Sequence, residues 1–193
     1  ALSLPVVGGN VSLYNETGGT DIDPTPVIGL LGLVDRLDRP PPGVGLVDGH
    51  RVLLVGHPPT GSLAGSAWAA TVGRGARGVL DPVDLAEVSA TAAVVRDLVA
   101  ADVPGGVHDV AEGGLGRALS EMAVRSGVGA VVTGIEGPAA LLAERPGRVL
   151  LSVAADRVAA VEEAATAAGV PVADLGPVGG ARIVVEGLVD LGL

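Results

Sequence analysis

Eight consecutive positions, Val27–Val34 (VIGLLGLV), carry no polar side chain, and Pro26 opens the run. A continuous apolar stretch of this length reads as a strand covered on both faces. Upstream, Ser3–Val7 and Val11–Tyr14 read as two short extended segments joined by the turn Gly8-Gly9-Asn10. Arg39-Pro40-Pro41-Pro42-Gly43 then stops any regular element, because proline lacks the amide donor and fixes φ. A domain boundary is expected there, between about 36 and 50.

Beyond it, short apolar runs alternate with amphipathic stretches. Arg51–Val55 predicts a strand, and Ser66–Val72 a short helix capped by Ser66. Leu85–Ala101 predicts a long helix entered through Asp81-Pro82, a cap residue followed by a first-turn proline. Gly106–Val110 predicts a strand and Gly114–Ser126 a helix. Val128–Val132 and Arg148–Val153 follow as strands, then a helix over Asp156–Ala168 closed by Gly169. Val172–Leu175 and Arg182–Val185 complete the sheet. Leu188–Leu193 lacks a cap or helix and is expected to be truncated or disordered. Strands alternating with helices imply a layered α/β unit, and no internal repeat is visible.

At 193 residues the chain fits one domain, or one domain plus a fragment of another. A hydrophobic content of 48% against 18% charged excludes a disordered tail. Aromatic residues are 1%, with Trp68 and Tyr14 the whole set, so the core must be built from Val, Leu, Ile and Ala. All 12 basic residues are arginine, a pattern that points to coding bias. The net charge of −10 and the scattered arginines set nucleic-acid binding aside. The absence of cysteine removes disulfides, thiolate nucleophiles and Cys-based zinc sites. No apolar stretch reaches the ~18 residues of a membrane span. The beginning of the chain lacks a signal-peptide layout, so a cytoplasmic protein without membrane or nucleic-acid partners is expected.

Two segments carry candidate chemistry. In Pro5–Thr17 (PVVGGNVSLYNET), Asn10 and Ser12 lie two apart, on one side of an extended segment. Glycine lets backbone approach a phosphate closely, and an amide carbonyl is a hard oxygen donor suited to Mg²⁺. The same residues also read as a hairpin turn in which Gly-Asn supplies positive φ. In Val107–Leu115 (VHDVAEGGL), a strand end runs through an acidic loop into a glycine pair opening a helix. Free N–H groups and the dipole make a helix start an anion site, with Asp109 beside it as a metal ligand. The alternative is that Asp109 or Glu112 caps the helix and His108 is a satisfied, half-buried histidine. No nucleophile-and-base arrangement is legible, and no residue is assigned a catalytic role.

The string GGNVSLYNET, followed closely by PTPVIGLLGLV, is similar to the segment closing the second N-type domain of the phosphoribosylformylglycinamidine synthase family. The family form has Ser at Gly8. HDVAEGGLGRALSEMA is similar to the HDVSEGGL signature of the C-type domain in the aminoimidazole ribonucleotide synthetase superfamily. Gly56–Trp68 resembles the family loop ending in LGGSEY, with Ala64 and Ala67 in place of a Gly and the Glu. Ala143–Leu150 resembles the family's SESPGR segment and following strand, and Arg148 there is expected to pack structurally.

The resemblance implies residues 1–38 as the end of an N-type, ATP- and substrate-binding domain, 39–50 as a linker and 51–193 as a C-type domain. The family fold for the latter is a three-layer α/β (α+β) unit with a mixed sheet. The implied activity is that of an ATP-dependent carbon–nitrogen ligase of purine biosynthesis, with glutamine as amide donor. It would convert formylglycinamide ribonucleotide and glutamine-derived ammonia to formylglycinamidine ribonucleotide. Residue by residue, Gly9 falls on the ATP contact, Asn10 on the Mg²⁺ ligand and Ser12 on the substrate contact. The implied partners are a glutaminase subunit, a small accessory subunit and the N-terminal half of the same enzyme, without which the chain is expected to be inactive. The alternatives are another enzyme of the superfamily, or a scaffold domain that holds a nucleotide without catalysis.

Overall fold

The computed structural model describes residues 4–10, 15–23, 25–33, 39–74 and 77–193. The chain divides at Pro40/Pro41 into two compact units.

The larger unit, Pro41–Leu193, is built on a four-stranded antiparallel sheet. Its strands are β3 (His50–Val55), β4 (Pro104–Asp109), β6 (Val149–Ala154) and β7 (Val172–Pro177), in the order β4-β6-β3-β7. A three-stranded sheet comprises β5 (Ala130–Val132), β8 (Arg182–Val185) and β9 (Val189–Gly192), in the order β5-β8-β9. It is mixed, since β5–β8 is parallel and β8–β9 antiparallel. The helices are α1 (Ala67–Thr71), α2 (Leu85–Ala100), α3 (Gly114–Ser126), α4 (Gly137–Leu142) and α5 (Val158–Ala167).

The alternation of side chains along a strand sorts the central sheet into two cores. Leu53 and Val55 of β3, with Leu151 and Val153 of β6, bury against Val94 and Leu98 of α2 and Val161 and Ala165 of α5. Val52 and Leu150 face the other way, onto α3 and the smaller sheet. Because both faces are covered, β3 and β6 are apolar almost throughout. Leu115, Ala118, Leu119, Met122 and Ala123 follow the i, i+3, i+4, i+7, i+8 spacing of a helix face and are all buried. The three-layer arrangement with a mixed sheet is therefore present as expected.

Several local expectations change. The cap of α2 is Asp84, which accepts from Ala86 N at 2.7 Å, whereas Asp81 accepts from Thr60 N at 3.0 Å. Leu46, within the stretch read as a linker, is buried in the core, because Gly43 pairs with Gly106 and draws the chain onto β4. The stretch read as disordered, Leu188–Leu193, contains β9, which gains order by pairing with β8. The pattern also missed α4 and a 3₁₀ turn at Ala155–Arg157 that precedes α5.

The smaller unit, ending at Pro40, contains a hairpin of β1 (Glu16–Thr17) and β2 (Thr20–Asp21). Gly18 (φ 59°) and Gly19 (φ 82°) supply the two positive φ angles of a tight two-residue turn. Residues 4–10 form no strand, and Val11–Tyr14 lies outside the described residues. Residues 27–33 also form no strand, and Val27, Leu31 and Leu33 are more than 90% exposed. A strand needs a ladder partner as well as apolar side chains, and no described residue pairs with this run.

Candidate functional site

Of the two candidate segments, the one around the start of α3 is assembled in three dimensions. Gly113 (φ 80°) is the helix N-cap and Gly114 (φ 67°) the first helical residue. A Cβ at Gly114 would lie 2.8–2.9 Å from backbone atoms of Leu141, Leu142 and Ala143, so the helix start is pressed against the end of α4. Neither Asp109 nor Glu112 caps it, and Gly113 brings no side-chain acceptor. Glu112 instead pairs with Arg117 at 2.9 Å.

The acceptor comes from Glu144. Its Oε1 accepts from Gly113 N at 2.7 Å and from Ala67 N at 2.7 Å. One carboxylate oxygen thus serves the starts of α3 and α1, where unpaired N–H groups and the positive dipole end favour a negative charge. The anion position expected at the glycine pair is filled by the chain's own side chain.

The loop that carries Glu144 is itself tied down. Arg145 donates to Pro58 O at 2.6 Å and pairs with Glu87 in the first turn of α2. Arg148, 2% exposed, donates to Ala143 O and to Arg145 O, folding residues 143–148 into a compact bend. Burial pushes the Arg148 guanidinium down to about 10, and neighbouring Arg145 acts in the same direction. Arg148 is structural, as expected.

On the outer side of α3, Val107, His108, Asp109, Glu121, Val124 and Arg125 line an open groove of about 690 Å³. His108 is mostly buried; its Nδ1 donates to Asp109 O at 2.6 Å and its Nε2 faces Glu121 Oε2 at 2.9 Å. Arg117, hydrogen-bonded to Glu121, holds that carboxyl below its usual range, and the His108 contact adds to the effect. Histidine and glutamate are thereby satisfied within the fold, whereas the Asp109 carboxylate is exposed. Among the described residues no group of three His, Asp or Glu side chains gathers to hold a metal ion.

In the other segment, Gly9 and Asn10 are exposed, and a Cβ on Gly9 would meet nothing within 4 Å. Ser12 lies outside the described residues. The described residues therefore form no closed cradle for a phosphate here, and Asn10 offers a single amide oxygen. Sequence reasoning missed Glu144 and Arg145 as organisers of the helix starts. Nothing local marks Glu144, because its two partners are 31 and 77 residues away.

The profile of AIR synthase related protein, C-terminal domain, matches residues 47–187. The phosphoribosylformylglycinamidine synthase subunit PurL of Nocardioides sp. is 38% identical over 100% of this chain and 25% of its own length. The corresponding subunit of Rhodospirillum rubrum is 41% identical over 98% of this chain and 26% of its own. The chain thus spans about a quarter of the length of these curated relatives. Among solved structures, Thermotoga maritima PurL complexed with FGAR has a TM-score of 0.62 at 15% identity, covering 75% of this chain and 27% of that one. At that identity the likeness concerns the fold.

Proposed function

The chain belongs to the family of AIR synthase related C-terminal domains, and from that membership we propose that it is the C-terminal portion of a phosphoribosylformylglycinamidine synthase. The observation that carries this reading is the match to PurL at 38% identity along the entire chain, with Gly9–Thr17 (GNVSLYNET) in the form the family carries. The longer protein uses ATP to activate the amide oxygen of formylglycinamide ribonucleotide. Ammonia released from glutamine by a partner glutaminase then displaces the phosphate, giving the amidine, ADP and phosphate. A small accessory subunit completes the assembly, which works in the cytoplasm. No helix of the described residues is long and apolar enough to cross a membrane.

In this reading Gly9 lets backbone lie against ATP, Asn10 gives one oxygen to Mg²⁺ and Ser12 orients the ribonucleotide. Mg²⁺ takes six ligands in near-octahedral geometry. Asn10 would supply one, with water, the nucleotide and the N-terminal half of the longer protein supplying the others. The Pro41–Leu193 unit contributes a folded body in which Glu144 already occupies the starts of α1 and α3, and in this reading it supports the catalytic domain.

Titrations of the longer enzyme test the assignment. Asn10→Ala should shift the Mg²⁺ and ATP dependence. Ser12→Ala should raise the KM for the ribonucleotide roughly 10- to 150-fold, as for one lost hydrogen bond to a charged group, and leave ATP nearly unchanged. Wild-type behaviour of both variants in both titrations would reduce the Gly9 segment to a turn.

A further inference from the structure

Between β3 and α2 the chain makes a long excursion whose neck is closed by side chains. Thr60 N donates to Asp81 Oδ2 at 3.0 Å, and Ser62 Oγ donates to Val79 O at 2.6 Å. Gly78 (φ 106°) allows close approach within the loop, since a Cβ there would lie 2.9 Å from Ala64 Cβ. Glu144, through Ala67 N, and Arg145, through Pro58 O, hold the excursion to the body of the domain. A closed loop of this length that is anchored yet surface-exposed is more than a connector.

Its tip gathers side chains suited to one kind of ligand. Trp68, the chain's single tryptophan, is 38% exposed. With Leu63, Ala64, Arg74, Arg77 and Gly78 it lines a cavity of about 380 Å³. Arg51, Arg96, Arg117, Arg145 and Arg182 each pair with a carboxylate. The Arg74 and Arg77 guanidinium groups have no hydrogen-bond or ion-pair partner among the described residues. That is notable in a chain with 22 acidic and 12 basic residues.

We propose that Trp68, Arg74 and Arg77 form a binding site for a nucleoside phosphate, separate from the Gly9–Ser12 segment. Two guanidinium groups lining one cavity supply the charge and the donors for a phosphate dianion, bound by charge-assisted hydrogen bonds. The indole face offers a stacking surface for a base. The cavity is of the size that takes a small molecule, which favours a mononucleotide over a protein segment.

Because Trp68 is the single tryptophan, its fluorescence reports on this site alone, and calorimetry gives an independent affinity. The 193-residue chain is titrated with AMP, adenosine, inorganic phosphate and an oligo-aspartate peptide, without any turnover assay. Saturable AMP binding is expected, with adenosine and phosphate each at least about tenfold weaker. R74A/R77A should weaken AMP roughly tenfold or more. Both arginines are exposed and have no side-chain partner among the described residues, so circular dichroism of this variant should match the parent; Trp68→Phe, read by calorimetry, supplies a second variant and should also weaken AMP. The proposal is overturned by absent AMP binding, by unchanged affinity in R74A/R77A, by phosphate binding as well as AMP, or by preference for the acidic peptide. These results are independent of the Asn10 and Ser12 titrations, so either reading can fail without the other.

Discussion

Glu144 satisfies two backbone donors on different helices, so its removal exposes two unmet N–H groups in partly buried positions. Hydrogen bonds to a charged group contribute about 1.5–3 kcal/mol each, and losing a helix cap costs about 0.5–2 kcal/mol. Glu144→Ala should therefore lower stability by about 2–4 kcal/mol, or roughly 5–15 °C in Tm for a chain of this size. Glu144→Gln keeps an oxygen acceptor and loses the charge, so its loss should be smaller. Calorimetry, together with hydrogen exchange at the Gly113 and Ala67 amides, checks this. An unchanged Tm with unchanged exchange would mean that water serves the helix starts equally well. Glycine's role at the same place was legible, because a Gly-Gly pair before an amphipathic stretch marks a helix start. The carboxylate that completes it was not, since nothing in the string ties residue 144 to residues 67 and 113.

Among the elements, those with strong periodicity came out as read. The helix Gly114–Ser126 and the strand Arg182–Val185 have the expected bounds, and Ser66 caps α1 by accepting from Ala69 N at 3.1 Å. The cap of α2 was misplaced because Asp81 and Asp84 both precede the helix. Only the fold shows that Asp81 is engaged by Thr60 while Asp84 faces the first amides. The VIGLLGLV run shows the limit of hydrophobicity as a signal. Its apolar character is in the string, but burial depends on a covering surface. With Ile28 80%, Leu30 78% and Leu31 92% exposed, the purified chain should self-associate as concentration rises, since contiguous apolar surface favours contact with more of the same. Sedimentation velocity of the parent and of L31D/L33D tests this. The double variant should run as a monomer at concentrations where the parent does not. A parent that stays monomeric throughout would count against it.

At the level of the whole molecule, no general acid, base or nucleophile among the described residues converges on Gly9 and Asn10, which are exposed. The 193-residue chain, given ATP, Mg²⁺, formylglycinamide ribonucleotide and ammonium, should release no ADP that depends on the ribonucleotide. Substrate-dependent ADP release by this chain alone would overturn that expectation. The string by itself determined the layered α/β class, most strand and helix positions beyond residue 50, and the family, because these rest on local spacing and on contiguous motifs. Tertiary structure alone decided how the strands divide into a four-stranded and a three-stranded sheet, that Leu46 belongs to the core, and that Glu144 occupies the start of α3. The physical reason is common to all three: each depends on a partner far along the chain. Periodicity records which face of an element is apolar, and only packing determines what that face meets.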